Sequence, residues 1–436
     1  MRASFVLAVL TASAVANASP AERFGLGSRE AALAGAVAAD VTDHTAVYYD
    51  PAALTLGQGP SVGVGYQVGD YELTLDGRPA SPDNVYLLEA GFVARGKVLS
   101  LPAALGVAFA LPGGNLSNIE TLREDQPAWL IDELGNDVAF AGVGVALRPL
   151  PWLSLGATLG YLAAVRGGFT VSGTAVQPIG DRSGLDSELR HAVDADLVSV
   201  RYPIVGVLIE PSRSWRLALV YREEAIIEQR IQGELAGEVE YGPLRLPVEY
   251  RFASESVAAY LPRQVTLAVS LLSHDSTRWD ASVAYQNLAE LPSPEARTSS
   301  RVHAELPPGL VLELPPDRDA PALKSAGFGD RIVPRLGVEH TLELRSSWRL
   351  ALRGGAAFES SARERPSAWL DASRLLLSSG AGLAWSPGGV AELRLDLHFG
   401  YAHFFEEKLL VTSTHLDQTV AGHSLSTGSS LRVSFY

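Results

Sequence analysis

The chain has 436 residues, a formal net charge of -14 and no cysteine. The acidic balance excludes a phosphate-reading surface, which needs a basic face, and the missing thiols exclude a disulfide framework, a thiolate zinc site and a cysteine nucleophile. Hydrophobic residues make up 47% and charged residues 19%, yet mean hydropathy is only +0.11, so a single large all-β barrel fits as well as two or three soluble domains.

Arg2 precedes an apolar stretch, Ala3 to Val15, and then Ala16-Asn17-Ala18, which has the small-x-small form of a signal-peptidase site. Residues 1–18 read as a cleaved secretory signal. No later segment reaches the roughly 18 uninterrupted apolar residues of a spanning helix. A chain that stays in a membrane without helices must cross it as a closed barrel, because lipid cannot satisfy an open sheet edge.

Period-two alternation supplies the strands. The clearest case runs from Glu392 to Tyr401, with Leu393, Leu395, Leu397, Phe399 and Tyr401 on one face and Glu392, Arg394, Asp396 and His398 on the other. The same test gives strands at about 61–75, 85–96, 103–111, 138–148, 152–165, 197–210, 214–232, 261–273, 278–288, 332–344, 347–360, 372–386, 390–405 and 424–436. These are fourteen, an even number. Connections after even strands are about six residues or fewer; those after odd strands reach about 26, 31, 28 and 43 residues. Short turns on one rim and long loops on the other mark an outer-membrane barrel with both termini on the periplasmic side. Leu244, Leu246, Val248, Tyr250 and Phe252 also alternate, and are read as a hairpin extension above the membrane.

Tryptophan placement agrees. Trp152, Trp215, Trp279 and Trp348 each open a strand after a short turn, and Trp385 closes one before a short turn. An indole favours the membrane interface, so five of seven Trp on one rim read as an aromatic girdle. Trp152 is out of phase with the apolar row Leu153, Leu155, Leu159 and Tyr161. The chain ends in an alternating strand with Leu431, Val433 and Phe435 in one row and Tyr436 one residue beyond it. Polar positions, among them Arg335, Glu339, Arg353, Arg394, Asp396 and His398, are then expected to face the lumen. The loop from about 112 to 137 carries Leu116, Ile119, Leu122, Trp129, Leu130 and Leu134 among acidic residues, a pattern of short amphipathic helices.

With the signal removed, about forty mature residues precede the first strand. They read Phe24-Gly25-Leu26-Gly27, an Ala/Gly-rich stretch, Ala38-Ala39-Asp40, and Tyr48-Tyr49-Asp50-Pro51-Ala52. Small residues let such a segment pack inside something else, and residues 19–57 are expected to plug a barrel formed by 58–436. This order of motifs resembles the N-terminal hatch of the FadL/TodX outer-membrane transport family. Tyr260-Leu261-Pro262, Val333 to Glu339 and Gly380-Ala381-Gly382-Leu383 extend the resemblance over essentially the whole mature chain. The family's hatch triplet is commonly Asn-Pro-Ala; here Asp50 stands for the Asn, which puts a donor role for that side chain in question.

The resemblance implies a fourteen-stranded antiparallel barrel, plugged by its hatch through Gly25, Gly27, Asp50, Pro51 and Ala52. It implies passive uptake of hydrophobic compounds such as long-chain fatty acids or aromatic hydrocarbons, a monomer among outer-membrane lipids, and no cofactor. Substrate would be caught in a loop groove mapping to Leu116, Ile119, Leu122, Trp129, Leu130 and Leu134, and released sideways at a kinked third strand near Gly106.

Two other functions compete. Asp396 and His398, two apart on one face, could orient an imidazole for a barrel-embedded hydrolase, but no serine motif accompanies them; a general porin would need an open lumen. The nine histidines form no metal cluster with carboxylates. Arg335, Arg353 and Arg394 are candidates to meet a substrate carboxylate.

Overall fold

The computed structural model describes residues 20–113, 126–133, 138–178, 186–241, 244–274, 276–305, 316–345, 347–411 and 416–436. The expected signal, residues 1–18, lies outside the described residues.

Fourteen strands form one antiparallel sheet closed on itself. They are β1 (Ser61–Leu75), β2 (Val85–Val98), β3 (Leu101–Pro112), β4 (Ala139–Leu150), β5 (Leu153–Pro178), β6 (Asp186–Ile209), β7 (Trp215–Arg222, continued by Ala225–Tyr241), β8 (Leu244–Leu261, continued by Arg263–Ser273), β9 (Thr277–Asn287), β10 (Arg331–Arg345), β11 (Trp348–Glu359), β12 (Arg374–Trp385), β13 (Ala391–Val411) and β14 (Leu416–Phe435). Closure comes from β1 against β14, in register from Ser61–Ser434 to Leu75–Val420. Closing the sheet into a ring is how it survives in lipid. A further short strand, Arg297–Ala304, extends the sheet beside the upper part of β8.

Alternation explains the wall. Along β1, Val62, Val64 and Tyr66 are exposed while Ser61, Gly63, Gly65 and Gln67 are buried. Leu393, Leu395, Leu397 and Phe399 on β13 are likewise exposed, opposite buried Glu392, Asp396 and His398. Large exposed apolar rows around a buried polar interior invert a soluble protein and match an outward lipid face. No described helix is long and apolar enough to cross a membrane.

Two of the long connections turn out to be strand. β5 and β6 pair from Leu153–Ile209 up to Val176–Asp186, and β7 and β8 pair as far as Tyr241–Leu244. The segment containing Leu244 to Phe252 is therefore the upper part of β8, and the count of fourteen holds. Alternation from Leu244 to Phe252 already marks the second as a hairpin extension above the membrane, and the pairing bears this out; the first has no such mark, because a strand with water on both faces need not keep one face apolar.

The wall's ladder ends early at one place. β6 pairs with β7 from Ile209–Leu217 to Ile204–Arg222, and one further bond joins Glu223 N to Pro203 O at 3.0 Å. Above that level β6 pairs with β5, whereas β7 pairs with β8 and, over three residues, with Val176–Pro178. Pro203 has no N–H to offer β7, and Pro262 interrupts β8 at the same level, as proline does in a ladder.

The short-turn rim carries the indoles. Trp152, Trp215, Trp279 and Trp385 are exposed there, and Trp348 stacks on Trp385 at 5.8 Å. The other two, Trp129 and Trp369, are wholly buried on the opposite side. Tyr436, out of phase with the apolar row, turns its hydroxyl to Glu392 (3.1 Å).

Candidate functional site

Residues 20–56 lie within the barrel as four short helical pieces: α1 (Pro20–Phe24), α2 (Ser28–Ala32), α3 (Ala46–Tyr49) and a 3-10 turn, Pro51–Thr55. Leu26, Leu33, Val37, Val41, Val47 and Leu54 are wholly buried. Helices of four or five residues cannot hold themselves together, so this segment takes its shape from the wall.

The wall makes room by omitting side chains. A methyl group on Gly106 of β3 would stand 2.6 Å from Leu54 and 2.8 Å from Val47; on Gly142 of β4 it would stand 2.6 Å from Val47. On Gly156 of β5 it would collide with the backbone of Pro51 and Ala52, and on Gly206 of β6 with Asp50. Gly25 and Gly27 have φ of 85° and 92°, a region that side chains avoid. Gly27 N donates to Glu89 on β2 (2.6 Å), and Gln67 donates to the carbonyl of Gly25. All five residues expected for the hatch, Gly25, Gly27, Asp50, Pro51 and Ala52, thus sit against the wall.

Charge fixes the opposite side. Arg29 donates to Asp40 (2.7 Å) and to Glu339 on β10 (3.0 Å). Glu339 also binds Arg353, and Arg394 approaches it at 3.5 Å. Asp396 takes Arg353 (2.8 Å) and Arg394 (3.1 Å). Asp40 further pairs with Arg216 and with Arg278 (3.2 Å). Arg95 from β2 donates to the carbonyls of Leu54, Gly59 and Thr42, each at 2.8 Å. In this low-dielectric interior the ions are affordable only because each meets an opposite partner.

The lumen residues expected from the sequence all point inward, but their roles divide. Arg353 and Arg394 are spent on Glu339 and Asp396, so neither is free to meet a substrate carboxylate. Asp396 holds those arginines rather than His398, and neither ring nitrogen of buried His398 has a hydrogen-bond partner among the described residues; the hydrolase dyad is not assembled. Arg335 makes no ion pair among the described residues, and its side chain lies against Gly35, where a methyl group would stand 3.6 Å away. No group of three or more metal-ligating side chains occurs among the described residues.

Above the segment lies a cavity of about 90 Å³. Phe24, Tyr48 and Tyr49 form its floor; Ile204, Val220 and Leu376 give it apolar walls; Arg222, Gln264, Arg335 and Glu359 give it polar ones. Arg222 donates to the Tyr48 hydroxyl (3.2 Å). The Tyr49 hydroxyl accepts from Leu26 N (2.9 Å), and burial pushes its ionisation far up.

On the long-loop side the cavity is covered. The pieces 126–133 and 360–373 are stitched by Leu370 N to Ala128 O (2.7 Å). Trp129 packs edge-on to Phe404 at 5.5 Å, and Leu130 packs with Leu288, Leu291, Phe328 and Trp369. These two residues were expected to line an open groove and are instead wholly buried, because neighbouring long loops supply apolar partners. Leu116, Ile119, Leu122 and Leu134 lie outside the described residues. Beneath, Asp132 meets Arg374 (2.8 Å) and Arg23 (3.7 Å), and Glu359 joins Arg374 (2.7 Å) to Arg331 (3.1 Å). This acid–arginine cluster joins outer loop, segment and wall. Its members were missed individually, although inward parity on β10 and β12 would have flagged Arg331 and Arg374.

The kink expected near Gly106 leaves no mark on the pairing of β3. β3 pairs without a register shift to β2 from Leu87–Pro112 to Val98–Leu101, and to β4 from Ala110–Phe140 to Ala103–Leu147. Gly106 serves close approach of Leu54 and Val47, a packing reason for a strand glycine rather than a weakened ladder.

No protein-family model matches the chain. It is 22% identical over 398 residues to alkane uptake protein A of Marinobacter nauticus, a match covering 86% of this chain and 81% of that protein. Among solved structures it is similar to a Pseudomonas aeruginosa FadL homologue (TM-score 0.58, 13% identity, 94% of this chain and 97% of that one). It is similar also to the Ralstonia pickettii toluene transporter TbuX (TM-score 0.54, 16% identity, 95% and 99%) and the Pseudomonas putida toluene transporter TodX (TM-score 0.55, 12% identity, 93% and 97%). With the closed fourteen-stranded wall and the buried segment before its first strand, these likenesses show a chain built on the fold of the FadL/TodX family of outer-membrane transport proteins.

Proposed function

We propose that the protein is an outer-membrane channel for passive uptake of hydrophobic compounds, with residues 19–57 acting as its plug and both termini in the periplasm. The carrying observation is a lumen occupied by the chain's own N-terminal segment, which leaves a small cavity of mixed apolar and cationic lining. A porin passing polar solutes needs a continuous water path; a hydrophobic solute gains by leaving water for an apolar pocket and then for the bilayer. The alkane uptake relative and the toluene transporters support this class of cargo, and their transport role favours a channel over an enzyme.

Arg335 lines the cavity and makes no ion pair among the described residues, which suits a cargo with an anionic head on an apolar body, such as a long-chain fatty acid. For sideways release, the end of the ladder between β6 and β7 fits better than the unbroken β3: Ile204, Val220 and Arg222 line the cavity at that level. The test is uptake of labelled palmitate, hexadecane and toluene by cells lacking other such channels. Uptake no faster than in cells without the protein, together with nanosiemens conductance of the intact barrel, would favour a general porin instead.

A further inference from the structure

Asp50 differs from the other buried acids of the plug. It is wholly buried, caps the 3-10 turn by accepting from Ala52 N (2.9 Å) through Oδ1, and packs on the bare backbone at Gly206. Its second oxygen, Oδ2, has no hydrogen-bond partner among the described residues. Glu30, which burial also pushes up to about 8, has a cation beside it, Arg29 at 3.7 Å, and Asp43 has Arg432 at 3.2 Å and Thr45 at 2.6 Å. On the elements packed around Asp50, the inward ionisable side chains include Arg148 and Glu210, which pair with each other at 2.5 Å, Arg222 and Tyr48, which bond to each other, and the buried phenol of Tyr202 on β6. None of them offsets a charge on Asp50: burial is the dominant influence and the Ala52 bond the only opposing one, leaving the carboxyl pushed up to about 8.

We propose that Asp50 seats the N-terminal segment as a neutral carboxylic acid, and that loss of its proton loosens the segment from β5 and β6. An uncompensated carboxylate in a dry contact is among the costliest arrangements a protein can hold, whereas the neutral acid has the shape of an amide and carries no charge. The seat is therefore proton-linked, and it rests on the reading of residues 19–57 as the plug.

The sign follows from linkage. The seated acid ionises less readily than the exposed one, so seating is strongest in acid. It weakens by about tenfold per pH unit between roughly pH 4 and pH 8, then levels off. The experiment uses the full-length barrel in liposomes and measures the rate of tryptic cleavage after Arg23 and Arg29, and bilayer conductance, from pH 5 to pH 9. Wild type is compared with Asp50→Asn and Glu30→Gln. The expected result is that Asp50→Asn lowers the slope of cleavage rate against pH by about one decade per unit, whereas Glu30→Gln leaves the Asp50 contribution in place. Equal slopes in wild type and Asp50→Asn would overturn the proposal, as would a slope lost only in Glu30→Gln. The plug reading fails separately: cleavage that changes with pH in the predicted way while conductance stays constant would mean that the segment is seated by Asp50 but closes nothing.

Discussion

Arg29 and Glu339 are 310 positions apart in the chain and meet inside the barrel, Arg29 Nε donating to Glu339 Oε2 at 3.0 Å. The pair ties the N-terminal segment to β10. Arg353 and Arg394 share the same carboxylate, so Glu339 is the point through which three cations are neutralised. Removing one member of such a buried set leaves uncompensated charge and typically costs about 3–5 kcal/mol. Glu339→Gln is expected to loosen the segment and raise bilayer conductance while the barrel still migrates as folded on unheated gels. Unchanged conductance would mean that the glycine contacts alone hold the segment.

Steric fit makes a cleaner comparison. Gly156→Ala sets a methyl group into the backbone of Pro51 and Ala52, whereas at Gly354 the nearest atom to an added methyl lies 3.8 Å away. Gly156→Ala is expected to expose the segment to protease and lower the melting temperature by several degrees, for a cost of about 1–3 kcal/mol. Gly354→Ala is expected to behave as wild type. Similar behaviour of the two variants would contradict the packing described for the segment.

Asp43 predicts an acid limit of opposite sign to Asp50. Burial alone would raise its carboxyl, but protonated His44, Arg432 and the Thr45 hydrogen bonds outweigh burial and hold it well below the usual range. Its contribution is present above the ordinary aspartate range near pH 4 and is lost as pH falls below it. Thermal melts from pH 7 down to pH 3 should show stability falling in wild type, and falling less in Asp43→Asn, which is expected to be the less stable of the two at pH 7.

Arg335 decides between cargo types. Arg335→Ala is expected to cut uptake of palmitate by about tenfold, the loss of one charge-assisted contact, with hexadecane uptake changed less than twofold. Parallel loss of both substrates would show that the side chain shapes the cavity rather than holds a head group.

Asp132→Asn addresses the outer cover. The substitution removes the charge that joins the 126–133 loop to Arg374 and Arg23, and it is expected to make Trp129 accessible to a collisional fluorescence quencher. A quenching profile identical to wild type would show that the apolar contacts of Trp129 with Phe404 suffice by themselves.

The wall was readable from sequence because lipid imposes a strict rule on every second residue. Leu393, Leu395 and Leu397 could be assigned outward from spacing alone, and the parity of the turns placed the indoles. What escaped detection was governed by partners distant in sequence. Gly106 looked like a weak point in a strand, and only Leu54 and Val47 explain it. Trp129 and Leu130 looked like an open groove until Phe404, Phe328 and Trp369 covered them. The tall β5–β6 hairpin escaped for another reason: a strand that clears the bilayer need not keep one face apolar, whereas the alternation from Leu244 to Phe252 did reveal the upper part of β8. Arg335, Arg353 and Arg394 look alike as inward arginines, and only the placement of Glu339 and Asp396 distinguishes the one that makes no ion pair among the described residues.

The closure of β1 on β14 governs how the molecule is made. Those strands are among the first and last parts of the mature chain to emerge, and Arg95 and Arg432, near opposite ends of the sequence, both grip the segment around Thr42. Contacts of such long sequence separation form late and slowly. The segment then lacks part of its wall until the final strand pairs, and a carrier that shields residues 20–56 meanwhile would shorten the time in which Leu26, Leu33 and Val47 are open to aggregation.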